Sequence, residues 1–183
     1  MDDPFRVNWP LVLGGAALVA AVSAATLPWS SAFLSTALGL LMIVGADVDA
    51  RTYLLPDAVT VGALGCGVLA AMPLEPLSPW LGMASAIGRA FGTAAALLLL
   101  RWMHCKLTGR DGLGLGDVKL GAAAGAWLPL EAIPLCFGLA AGAALAFVVL
   151  AGWSGRSFER TTKIPLGAFL CPSLWVVFFG GVV

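Results

Sequence analysis

Charge is scarce in this chain. Only 11% of its 183 residues are charged, whereas 60% are hydrophobic. An ordinary soluble domain carries about 25% charged residues. A water-soluble domain of this size could not bury so much apolar surface. The sequence therefore reads as an all-α, polytopic membrane helix bundle, folded as one domain over residues 1–183. Net charge is zero, which gives a nucleic-acid partner no support. Histidine occurs once, as His104. Cys66, Cys105, Cys136 and Cys171 are far apart and form no C-x-x-C. Zinc sites want paired Cys/His ligands at short spacing, so these cysteines read as small packing residues and no metal is expected. G-x-S-x-G and H-E-x-x-H are both missing, so neither a serine hydrolase nor a zinc peptidase is indicated.

What the chain does have is long apolar runs. A membrane-crossing helix needs about 20 mostly apolar residues. Seven candidates fall at about 10–28, 31–48, 57–73, 80–103, 117–129, 131–153 and 165–182. The fifth is short, and Pro129 and Pro134 bracket its turn into the sixth. "VSA" at 22–24 resembles a leader cleavage site, but two acids precede the first run, which is also longer than a usual signal core. That run reads as a span. Seven spans place Arg6, Arg51, Arg101, Lys106, Arg110, Lys119, Arg156, Arg160 and Lys163 on one side, with Glu75 and Glu131 on the other. The positive-inside rule makes the basic side cytoplasmic, with the N-terminus inside and the C-terminus outside. Arg89, well inside the fourth span, is expected to pair with an acid or to mark a later start of that span. Trp9, Trp29, Trp80, Trp102 and Trp127 fall near span ends and read as interface anchors.

Against this background two short acidic stations stand out. The first, "GADVDARTYLLPDAV", runs from Gly45 to Val59. Asp57 follows Pro56 and precedes an apolar run, as a helix N-cap would. Asp47 and Asp49 close a hydrophobic helix, where a carboxylate is costly to hold. Residues two apart do not share a helix face, so at most one of them faces a given partner. The second station, "DGLGLGDVKL", runs from Asp111 to Leu120. Gly112, Gly114 and Gly116 remove side chains ahead of Asp117, allowing a sharp turn and the close approach of another chain. Gly121 and Gly125 then continue a small-residue face on which a neighbouring helix can pack closely. Both stations belong to the same predicted side. Two close carboxylates tend to share one proton, so that one serves as base toward water while the other donates to a carbonyl.

These residues resemble a known family. "GLGLGDVKL" is similar to the G-x-G-D-x-K-L signature of the type IV prepilin peptidases. "DARTYLLPD" is similar to their upstream motif, an Asp followed by six residues, then Pro and Asp or Asn. "KIPLGAFL", Lys163 to Leu170, resembles a segment near their C-terminus. The resemblance implies an aspartic endopeptidase of the bacterial inner membrane. Such an enzyme removes the short basic leader of type IV prepilins or pseudopilins at the cytoplasmic membrane edge, without a cofactor. Asp49 and Asp117 take the places of the catalytic acids, with Gly114, Gly116, Lys119, Pro56 and Asp57 in support. Asp47 has no place in the pattern. Larger members carry an N-terminal domain with two cysteine pairs and also methylate the new N-terminus. The resemblance is to a short form dedicated to cleavage. The expected partners are a prepilin or pseudopilin and membrane lipid.

Two other readings compete. A presenilin-like protease shares G-x-G-D but wants a Tyr-Asp pair and a Pro-Ala-Leu stretch, whereas Tyr53 is followed by Leu54 and no "PAL" occurs. A small ion-coupled transporter would use intramembrane acids as carriers, yet the acids here lie at span ends.

Overall fold

Proline and glycine punctuate the chain into seven α-helices in the computed structural model, which describes residues 8–74, 77–109, 112–153 and 164–182. They are α1 (Trp9–Thr26), α2 (Trp29–Thr52), α3 (Asp57–Leu74), α4 (Pro79–Thr108), α5 (Leu115–Trp127), α6 (Ile133–Trp153) and α7 (Leu166–Val182). A short 3-10 turn, Leu130–Ala132, joins α5 to α6. There is no strand among the described residues. Helix α1 ends just before Pro28, because a residue preceding proline is pushed out of the helical region. Pro10 and Pro79 sit in the first turns of α1 and α4, where no amide hydrogen is needed. Gly109, at φ 67°, closes α4 in the left-handed conformation that glycine adopts without strain. Tyr53 takes the same conformation at the end of α2 (φ 56°) and turns the chain toward Pro56.

Five helical segments are long and apolar enough to cross a membrane: α1, α2, α3, α4 and the stretch Leu130–Trp153. The seven expected spans coincide with seven helices among the described residues, the short fifth run being α5, but five segments rather than seven have the length and apolarity to cross. Helix α7 is a shorter apolar helix. Helix α5 has 13 residues, about 20 Å at 1.5 Å per residue, and a bilayer core is about 30 Å thick. It cannot cross alone. Instead it occupies the centre. Val118 and every residue from Leu120 to Leu128 are buried. Helices α3, α4, α6 and α7 all touch α5, while α1 packs on α2, and α2 and α6 pack on α7.

Small residues make the central position of α5 possible. A Cβ added to Gly125 would meet the Arg89 carbonyl oxygen at 2.6 Å and the Ala90 Cα at 2.9 Å. One added to Gly121 would meet Leu97 Cδ1 at 2.2 Å. The glycine face is therefore the seat of α4. Leu38, Met42, Leu120, Leu170 and Leu174 complete the core with α2 and α7.

Three side-chain expectations change. Trp127 is not an interface anchor: it is 5% exposed, donates its indole N–H to the Ala63 carbonyl at 2.8 Å and meets Phe178 edge to face at 5.0 Å. It ends the central helix rather than an outer one, so its proximity to a span end misleads. Trp9, Trp29, Trp80 and Trp102 are all exposed. Arg89 pairs with no acid among the described residues. It donates from Nε to the Gly125 carbonyl (3.2 Å) and from Nη2 to the Ala126 carbonyl (3.5 Å), at the C-terminal end of α5. A cation suits that negative pole. Cys136 and Cys171 are buried as packing residues, but Cys66 and Cys105 are exposed; all four are free thiols.

Candidate active site

Both acidic stations lie at one end of the bundle. Helix α2 runs into the first, and α3 leaves it. Helix α5 starts from the second, and α7 starts beside both.

Asp49 lies in the last turn of α2 and is 4% exposed. Its Oδ2 accepts the backbone N–H of Ala168 at 2.8 Å, and Gly167 also donates a backbone hydrogen bond to this carboxylate. Those amides belong to the first turn of α7, whose N–H groups have no partner within their own helix. The carboxylate of one helix thus caps another, at the end where the dipole favours negative charge. Gly167 has no room for a side chain. A Cβ there would meet Leu55 Cδ1 at 2.2 Å, Asp49 Oδ2 at 2.8 Å and Asp49 Cγ at 2.9 Å.

Asp117 lies in the first turn of α5, and its carboxylate reaches back to the backbone N–H of Gly114, the N-cap residue. This is the acidic half of a capping box. Asp49 is close enough for its charge to act on Asp117. Leu55 fills the space beside them. Its Cβ lies 3.2 Å from where a Gly116 Cβ would stand, and its Cδ1 abuts Gly167. Buried Cys171, one turn further along α7, packs toward α2, where a Cβ on Gly45 would meet its Sγ at 3.1 Å. The site is therefore built from the end of α2, the turn after it, and the first turns of α5 and α7.

The expected supporting residues divide. Gly114 and Gly116 serve close approach, not a sharp turn. Gly114 has φ −69°, and the positive-φ glycine among the described residues is Gly109. A Cβ on Gly114 would lie 3.1 Å from Asp117 Oδ2. Pro56, not Asp57, provides the entry to α3: its carbonyl accepts from Val59 and Thr60, and Asp57 is the first helical residue. The N-cap expectation for Asp57 is corrected accordingly. Its Oδ1 instead accepts from Lys119 Nζ at 2.6 Å, a solvent-facing bridge between the two stations. Lys119 thus ties α5 to α3.

Asp47 faces elsewhere. Its Oδ2 accepts the Asn8 backbone N–H at 3.0 Å and pairs with Arg51, one turn on. It lines an apolar cavity of about 410 Å³ between α1, α2 and α7, together with Met42, Ile43, Pro172 and Trp175. Asn8 thereby fixes the start of α1 at the same end as the two stations.

Helix α4 supports the glycine loop from the other side. Arg101 donates from Nη1 to the Leu113 carbonyl, and a Cβ on Gly112 would meet the His104 ring at 2.5 Å. Among the described residues, no group of three or more His, Cys, Asp or Glu side chains is placed to hold a metal ion. Arg6, Glu75, Arg110, Asp111, Arg156, Arg160 and Lys163 lie outside the described residues. Sequence reasoning missed Leu55, Gly167 and Ala168 as parts of the site. The signal available was "PLGAFL", in which a glycine and an alanine open a helix directly after Pro165.

Comparison with known proteins points to one family. Residues 36–150 match the model of the type IV leader peptidase family. Proteins named prepilin leader peptidase/N-methyltransferase are similar to the chain. The one from Xanthomonas campestris pv. campestris is 34% identical over 184 residues, covering 97% of this chain and 61% of that protein. The one from Burkholderia pseudomallei is 33% identical over 183 residues, covering 97% and 56%. That from Aeromonas hydrophila is 30% identical over 179 residues, covering 97% and 60%. The chain thus spans little more than half the length of these relatives. No solved structure matches.

Proposed function

Because the chain belongs to the type IV leader peptidase family, we propose that it is a membrane aspartic endopeptidase. In this reading it removes the basic leader from type IV prepilins or pseudopilins at the cytoplasmic edge of the bacterial inner membrane. The observation that carries the reading is the meeting of Asp49 and Asp117 at one end of the bundle, each tied to the first turn of a helix.

The chemistry follows from the pair. Two neighbouring carboxylates hold one proton between them more easily than two charges. The ionised member takes a proton from a water, which attacks the scissile carbonyl carbon. The protonated member donates to the carbonyl oxygen, giving a gem-diol. As the C–N bond breaks, the first acid passes the proton it took from water to the leaving nitrogen, and a diol hydroxyl returns a proton to the second acid. No nucleophilic side chain is consumed. The Ala168 and Gly167 amides fix Asp49, and the Gly114 amide fixes Asp117, so neither acid must reorganise during the reaction. Asp57 and Lys119 hold the stations together from the solvent side.

Asp47 takes no part in this proposal, being turned toward α1. Methyl transfer, which the names of the relatives also carry, is not part of it. Family membership sets aside the transporter and presenilin-like alternatives. The test is co-expression of the chain with candidate prepilins in a peptidase-deficient host. Loss of the leader, seen as a mobility shift and confirmed by the mass of the new N-terminus, is expected. Unprocessed prepilin with well-inserted enzyme, across pilins and pseudopilins alike, would remove the substrate assignment.

A further inference from the structure

A second cavity opens at the end of the bundle away from the two acids. It measures about 350 Å³ and lies between the far ends of α3, α4, α5 and α7. Its walls are largely apolar, with Leu74, Trp127, Leu128, Val177 and Phe178 among them. Arg89 also lines it, and so does Ser85. This half-buried guanidinium sets a positive charge inside a membrane-spanning bundle.

The surrounding protein neutralises only part of that charge. Arg89 donates to the Gly125 and Ala126 carbonyls, at the C-terminal pole of α5, and to Ser85 Oγ at 3.0 Å. A helix C-terminus is equivalent to about half a negative charge. Three of the five N–H groups of an arginine are engaged in these bonds. Among the described residues no carboxylate pairs with Arg89, since the ion pairs of Asp47 and Asp57 both lie at the other end. Glu131, in the 3-10 turn, is exposed and outside the lining.

We propose that this cavity binds an anionic amphiphile: a singly charged phosphate group against Arg89, with its apolar chain along Leu128, Val177 and Phe178. A membrane phospholipid has that chemistry. A free phosphate would satisfy the charge but leave the apolar walls unused. The site is independent of the peptidase reading, because it lies at the opposite end from the acids and uses none of their residues.

Native mass spectrometry of the delipidated full-length chain in neutral detergent tests this. The probes are phosphatidylglycerol, a diacylglycerol with the same chains, and inorganic phosphate. Phosphatidylglycerol is expected to bind at least about tenfold more tightly than diacylglycerol, a difference of about 1.4 kcal/mol. Arg89→Gln should remove that difference. Since Arg89→Gln also uncaps α5, Ala71→Phe provides the second variant. It adds bulk to the cavity wall from α3, a helix that carries none of the groups bonded to Arg89, and should weaken both lipids, with melting temperature measured alongside. Equal binding of the two lipids, or phosphatidylglycerol binding unchanged in Ala71→Phe, would overturn the proposal. Displacement of phosphatidylglycerol by inorganic phosphate at equal concentration would also overturn it, reducing the cavity to a simple anion site.

Discussion

Asp49 is oriented by amides that belong to another helix, and this matters more for its chemistry than anything within α2. Backbone donors carry no side-chain signature, so "PLGAFL" marks a helix start after Pro165 without revealing that the Gly167 and Ala168 amides meet Asp49. The choice between Asp47 and Asp49 was equally closed to periodicity. Two residues apart on a helix is enough to send one toward Asn8 and Arg51 and the other toward α7. Only the spacing to Pro56, through a family resemblance, favoured Asp49. Asp57 was misread for a related reason: Pro56 can supply the first carbonyl of α3, which frees the Asp57 side chain for Lys119. A prediction follows at this scale. Gly167→Ala places a methyl group 2.8 Å from Asp49 Oδ2 and against Leu55, so the carboxylate must leave the α7 amides. A hydrogen bond to a charged group contributes about 1.5–3 kcal/mol, so prepilin cleavage should fall about tenfold or more. The variant should still insert, and its KM should change less than its kcat. Unchanged cleavage in Gly167→Ala would mean that the α7 amides do not set Asp49.

The element that organises the molecule is α5. It is too short to cross a membrane and too buried to lie on one, and its two ends are both compensated. Asp117 and the Gly114 amide close the first turn, while Arg89 and the Trp127 region close the last. The glycine spacing after Asp117 was legible in the sequence, and so was the close neighbour it implies. The identity of that neighbour was not legible, because Arg89 to Leu97 of α4 present no motif and meet α5 only through tertiary packing. Trp127 was misplaced on the same ground. A tryptophan near a helix end suits an interface unless that helix is central. The packing predicts a contrast between two glycines. Gly125→Ala sets a methyl group against backbone atoms of α4 that cannot yield, and overpacking of this kind costs about 1–3 kcal/mol. Gly138→Ala, on α6, meets nothing within 4 Å. Thermal aggregation in detergent should therefore shift to lower temperature in Gly125→Ala and stay put, or rise, in Gly138→Ala. Equal behaviour of the two would contradict the central placement of α5.

For the whole molecule, seven helices put the starts of α1, α5 and α7 at the end that holds both stations, with the end of α7 opposite. The sequence reached this arrangement through its hydrophobic runs, which are long-range averages that tolerate errors at boundaries. The short fifth run was legible in it; that the others wrap this run was not, because burial depends on tertiary packing. If the acid-bearing end is cytoplasmic, reporter fusions after Thr108 should report the cytoplasm and fusions after Val182 the periplasm. A cytoplasmic reporter after Val182 would break the arrangement. The central claim, however, is that Asp49 and Asp117 act together on one water, and one measurement reaches it most directly. It is in-membrane cleavage of a prepilin by Asp49→Asn, Asp117→Asn and the double variant, with Asp47→Asn and Asp57→Asn alongside and yield in detergent as the check on folding. Asn keeps the size of Asp but cannot take up the proton. Groups that act as a unit are strongly non-additive. Each single replacement should lower cleavage by at least about 10³-fold, and the double should be no worse than either. Asp57→Asn removes a solvent-facing bridge worth about 0–1 kcal/mol, so it and Asp47→Asn should keep most activity. An active Asp49→Asn beside a dead Asp117→Asn, both well folded, would contradict the two-carboxylate account.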